Sequence, residues 1–149
     1  MKALVKESRA PGFVLTDVPV PTIRADEVLI KVRRAGVCGT DVHIHEWDAW
    51  ASGRCKPPFT VGHEFAGEVA EVGASVSGFK PGDRVMCTGA GGWAEYAVTD
   101  WGRVCHMPGP DFSFEEGATL PAALQTMHDA LITNGRLQKG ESVLIHTGN

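Results

Sequence analysis

Glycine and proline punctuation constrains this chain more than any other feature. Gly73, Gly78, Pro81-Gly82, the cluster from Gly89 to Gly92, and Gly102 cut its first two-thirds into short runs. Within the runs, apolar residues tend to alternate with polar ones, as strands with one buried face require. The candidates are "MKALVKE", "FVLTDVPVP", "DEVLIKVRRAGVC", "FAGEVAEVG", "DRVMCTG", "WAEYAV" and "GRVCHMP". In the second, Pro19 and Pro21 mark a strand exit or a sheet edge, because proline has no N–H to give to a ladder. Many short strands joined by glycine turns predict a mainly β barrel or sandwich rather than βαβ units. With 149 residues the chain is long enough to bury a core without disulfides.

The character changes after residue 112, so we divide the chain into 1–112 and 113–149. "SFEEGATLPAALQTMHDALITNG" is helical. Ser113 followed by Glu116 is a capping-box pair, and Pro121 suits the first turn of a second helix rather than the interior of one long helix. Leu124, Met127 and Leu131 recur at helical spacing and predict a core stripe, with Gly135 as the stop. "ESVLIHTGN" then reads as a buried strand running into a glycine. Helix, apolar strand and glycine are how a doubly wound nucleotide-binding domain begins.

The net charge of −4 and the lack of any Lys/Arg run argue against nucleic acid as a partner. "MKALVKESRAPGFVLTDVPV" has no continuous apolar segment, and no stretch approaches the roughly 20 apolar residues that span a bilayer. The expectation is therefore a cytoplasmic protein with no membrane partner. There, Cys38, Cys55, Cys87 and Cys105 are free thiols or metal ligands rather than disulfides. Cys105 is expected to be buried, and Cys55 to be exposed in the polar loop "ASGRCKPP".

Chemistry concentrates in two segments, "AGVCGTDVHIHEW" and "TVGHEFAG". Cys38, His63 and Glu64 offer one sulfur, one nitrogen and one oxygen donor, all acceptable to Zn²⁺, with a fourth position open for water or substrate. Taken bare, the adjacent His–Glu pair is equally a polar pair at a turn. "HIH" would place His43 and His45 on one face if it were a strand. "HEFAG" lacks the second histidine of an HExxH metallohydrolase.

The spacing of Gly62-His63-Glu64, Gly67, Gly73 and Val76 in "GHEFAGEVAEVGASV" resembles the zinc-containing alcohol dehydrogenase signature of the medium-chain dehydrogenase/reductase family. "GVCGTD" resembles that family's first-ligand segment, and "GFKPGDRV", "GGWAEYAV" and "LPAALQTMHDALITNGRLQKGESVLIH" are similar to its later parts. "CGTDVHIHEWDAWA" is similar to threonine 3-dehydrogenases, whereas the later segments look more like the quinone oxidoreductase branch. The resemblance implies a GroES-like β-barrel over 1–112, then a helical bridge into a cofactor domain. It implies one catalytic zinc on Cys38, His63 and Glu64, with Glu64 either a ligand or a residue that steps in and out of coordination. Thr40 and His43 resemble the relay that carries the alcohol proton to solvent. Asp41 is placed to orient the ligands. The motif makes the segment holding His45 a helix or turn, with His45 on the surface or lining a pocket. Trp47 and Trp50 are read as packing. The implied reaction moves a hydride between an alcohol or carbonyl substrate and NAD or NADP.

The chain departs from the family pattern in three places. "MCTGAG" leads almost directly to "GGWAEY", so no structural zinc is expected. "ATLPAALQ" offers no ligand from the bridge. The phosphate loop would begin at Gly148, so the expectation is that these 149 residues hold no nicotinamide cofactor and are inactive alone. An unpaired "VLIH" strand predicts a disordered tail or a homodimer formed by strand addition or helix exchange. Two alternatives stand beside the zinc dehydrogenase: a zinc-free quinone or enone oxidoreductase, and a non-enzymatic GroES-like binding module.

Overall fold

The computed structural model describes residues 1–145. All seven expected strands form. They are β1 (Lys2–Lys6), β2 (Val14–Asp17), β3 (Glu27–Ala35), β5 (Glu64–Val72), β6 (Arg84–Thr88), β7 (Tyr96–Asp100) and β8 (Val104–His106). A two-residue strand, β4 (Phe59–Thr60), is added to them. All pairings are antiparallel, in one sheet of order β2-β1-β4 and another of order β7-β3-β5-β6-β8.

Residues 93–95 join the two sheets. Leu4 N–H donates to the Trp93 carbonyl and Glu95 N–H to the Lys2 carbonyl, while Val32 N–H donates to the Glu95 carbonyl. One segment thus pairs with β1 on one side and β3 on the other, giving the barrel-like, mainly β architecture that the punctuation predicts.

Three apolar clusters follow from the strand alternation. Val28, Ile30, Phe65, Val69, Val85, Cys87, Ala97 and Val104 fill the interior of the larger sheet. Burial drives the Cys87 thiol far above its ordinary range, so it stays neutral. Ala66 and Met86 point to the opposite face of that sheet and are covered by Ala118 of α3 (Phe114–Thr119). The third cluster, of Ile44, Ala51 and Val61 with the ring of Trp93, packs α1 (Gly39–Glu46) and α2 (Ala49–Arg54) beside the smaller sheet.

The capping box at Ser113 is present, with Glu116 N–H donating to Ser113 Oγ and Ser113 N–H to the Glu116 carboxylate. α4 (Pro121–His128) starts with its proline in the first turn and runs into a π-helical segment, Asp129–Asn134, ended by Gly135.

Four expectations change. Ala51–Arg54, read as part of a polar loop, is helical, because Asp48 caps α2 by accepting the Ala51 N–H. Cys105 is exposed, since it is on the face of the short edge strand β8 away from Val104. Leu124 and Met127 are 49% and 45% exposed, so the expected core stripe has no cover among the described residues. Cys55, expected to be exposed, is half-buried against the Ile44, Ala51 and Val61 cluster. Residues 141–145 have no regular structure, and Val143, Leu144 and Ile145 are exposed, as expected of an unpaired strand. A parallel-type strand forms only against a neighbour, and none is present among the described residues. His146 and the expected phosphate loop at Gly148 lie outside them. No helix among the described residues is long and apolar enough to cross a membrane.

Gly67 is the tightest point of the larger sheet, where a Cβ would overlap the Lys31 carbonyl oxygen of β3. Gly67→Ala is expected to destabilise the fold by about 3 kcal/mol, seen as a lower urea midpoint with unchanged slope. A midpoint matching the parent would contradict this packing.

Candidate metal centre

The paired ends of β3 and β5 bring the two chemical segments together. Gly36 N–H donates to the Glu64 carbonyl at 2.8 Å, which sets the chain after β3 beside the start of β5. Gly36 must be small, because a Cβ there would lie 3.0 Å from the Ala118 carbonyl oxygen and 3.1 Å from Glu64 Oε2. Two residues on, Cys38 becomes the N-cap of α1. Its sulfur accepts the Thr40 N–H at 3.3 Å, and its own N–H donates to Asp41 Oδ2 at 3.0 Å. A cysteine in the capping position is held in one orientation by the helix it starts.

His63 follows Gly62, whose φ of +94° and contact with the Trp93 ring and backbone both exclude a side chain. Trp93 braces the two ligand segments at once. Its Nε1–H donates to the Gly36 carbonyl at 2.9 Å, and its backbone N–H donates to the Val61 carbonyl at 2.9 Å. Sequence reasoning flagged Trp47 and Trp50 and passed over Trp93. Its one signal was its place after the glycine cluster at 89–92.

Cys38 Sγ lies 2.9 Å from His63 Nε2, and Glu64 Oε1 lies 3.6 Å from the same nitrogen. The other ring nitrogen, Nδ1, faces Asp41 Oδ1 at 3.5 Å. Asp41 is 2% exposed, and its Oδ1 has no hydrogen-bond partner among the described residues. Among the described residues, Cys38, Asp41 and His63 offer donor atoms that all lie within 4.8 Å of one another, a group that does not include Glu64. Asp41, however, addresses the wrong side of the imidazole to share an ion with Cys38 at Nε2. A buried carboxylate beside Nδ1 leaves Nε2 free for a metal, the usual setting of a histidine ligand. Cys38 Sγ and Glu64 Oε1 thus both approach His63 Nε2, and sulfur, nitrogen and oxygen are donor types that suit zinc.

Thr40 and His43 are three residues apart on one flank of α1. Thr40 is half-buried and His43 exposed. His43 turns its Nδ1 to Asp48 Oδ2 at 2.6 Å, a partner the sequence reading did not name. His45, two residues on in a helix, points elsewhere. Its Nδ1 pairs with Glu46 and its ring packs edge-on against Phe13. A cavity of about 810 Å³ between α4 and strands β6 and β8 is lined by Met86, Cys105 and Gln125 among others, and by none of Cys38, His63 or Glu64.

The barrel, with Cys38 and His63 meeting where its strand ends join, has counterparts among known proteins. Residues 24–109 match the family described as the alcohol dehydrogenase GroES-like domain. The chain belongs to this family, in the zinc-containing alcohol dehydrogenase branch of the medium-chain dehydrogenases/reductases. An L-threonine 3-dehydrogenase of Streptomyces coelicolor is 44% identical over 86% of this chain and 40% of its own length. Another, from Protochlamydia amoebophila, is 37% identical over 97% of this chain and 50% of its own. A probable oxidoreductase from Mycobacterium abscessus superposes with a TM-score of 0.76 at 35% identity, over 95% of this chain and 45% of that one. The chain thus spans half or less of the length of these relatives.

Replacing Trp93 with Phe removes the indole donor to Gly36. A loss of about 1 kcal/mol is expected in urea unfolding. Unchanged stability would show that Trp93 does not brace the site.

Proposed function

We propose that this chain is the metal-bearing catalytic part of a zinc-dependent dehydrogenase that exchanges hydride between a small secondary alcohol and NAD(P). The convergence of Cys38 Sγ and Glu64 Oε1 on His63 Nε2 carries the proposal. Cys38, His63 and Glu64 would hold the ion, and Asp41 would orient His63. When bound, zinc supplies Lewis acidity at the substrate oxygen. Oxidation of the alcohol would release its hydroxyl proton, which must reach solvent. Thr40 takes it up at its hydroxyl and passes it toward His43, on the exposed flank of the same helix. The L-threonine 3-dehydrogenase relatives favour a β-hydroxy amino acid as the alcohol.

A zinc-free quinone or enone reductase is the second reading, favoured by the structural likeness to quinone oxidoreductases. Elemental analysis of protein purified without added metal separates the two. About one zinc per chain, lost in Cys38→Ser and His63→Ala and retained more weakly in Glu64→Gln, is expected. Folded, reduced protein without zinc that takes none up on dialysis would favour the second reading.

A further inference from the structure

Asp48 divides its two carboxylate oxygens between two tasks. Oδ1 accepts the Ala51 N–H at 3.0 Å and caps α2. Oδ2 meets His43 Nδ1 at 2.6 Å. The turn between the helices makes this meeting possible. Trp47 adopts the left-handed conformation (φ 54°, ψ 44°), and its N–H closes α1 on the His43 carbonyl. That conformation is uncommon for so bulky a residue. It is held by the packing of Trp47 against the Ile44, Ala51 and Val61 cluster and by Lys6 Nζ over its ring at 5.1 Å. The chain then delivers Asp48 to His43, whose ring also lies 5.5 Å from that of Trp50. The two hydrogen bonds, first from Ala51 and then from His43, hold the Asp48 carboxyl below the usual range, so it is ionised at neutral pH.

An ionised carboxylate only accepts, so Nδ1 of a neutral His43 must carry the hydrogen and Nε2 must present its lone pair. We propose that Asp48 is the positioning residue of the relay, fixing His43 in the Nδ1–H tautomer so that Nε2 can receive the proton coming from Thr40. This rests on the relay assigned above, but the tautomer can be read without substrate, zinc or cofactor.

The divided carboxylate makes Asp48→Asn a sharp test. An amide has one acceptor oxygen, and the Ala51 N–H claims it for the cap, which preserves α2. The NH₂ then faces His43 Nδ1 and forces the Nε2–H tautomer, in which Nε2 can no longer accept. Long-range ¹H–¹⁵N NMR of the histidine rings at mildly alkaline pH, assigned with His43→Gln, reads this directly. The parent is expected to show Nδ1–H and Asp48→Asn to show Nε2–H. An Nε2–H ring in the parent, or the same tautomer in both proteins, overturns the proposal. Where alcohol oxidation is measured, Asp48→Asn should lower kcat about tenfold with little change in KM. A switched tautomer with kcat unchanged in both Asp48→Asn and His43→Gln would overturn the relay itself, while the tautomer assignment stands.

Discussion

The backbone hydrogen bond from Gly36 to the Glu64 carbonyl is the contact on which the site depends. It joins the end of β3 to the start of β5, and so brings Cys38 within 2.9 Å of a histidine 25 residues away. Long-range pairing of this kind is costly in chain entropy, and the pair of strands repays it over nearly their full length. The surrounding features serve that junction. Gly36 and Gly62 admit close approach, Trp93 spans both ligand segments, and Ala118 of α3 closes over the Glu64 side. Metal ligands placed on strand ends and a helix cap are held more tightly than ligands on a free loop.

Two helix N-caps carry much of the chemistry. Cys38 caps α1 and Asp48 caps α2, and each spends part of its hydrogen-bonding capacity on the helix and the rest on a functional partner. For Cys38 that partner is His63, and for Asp48 it is His43. The arrangement is economical in geometry. A capping side chain already has its rotamer fixed by the first turn, so its remaining donor or acceptor is aimed without further support.

The strands were legible because period-two alternation and glycine turns are local signals, and the capping box at Ser113 is local as well. Cys38, His63 and Glu64 were legible as donors of the right type; Cys38 and His63 meet at 2.9 Å, while the third member of the close donor group is Asp41, which sequence reading gave only an orienting role. α2 was hidden because "ASGR" has weak helical character of its own. It is the cap from Asp48 and the packing of Ala51 that make it a helix. β4 is two residues long and owes its existence to β1. Trp93 and Asp48 act through partners 57 and 5 residues away, contacts that no spacing rule announces. The stripe of Leu124 and Met127 shows the opposite limit. Its periodicity was read correctly as a helix, but periodicity does not say what covers the face.

The most direct test of this account is X-ray absorption at the zinc edge on the loaded protein. It should show one sulfur at about 2.3 Å and two or three nitrogen or oxygen scatterers at about 2.0–2.1 Å, with the sulfur lost in Cys38→Ser. A shell without sulfur would remove Cys38 from the coordination, and one with several sulfurs would place the metal at another site, either result contradicting the proposed centre.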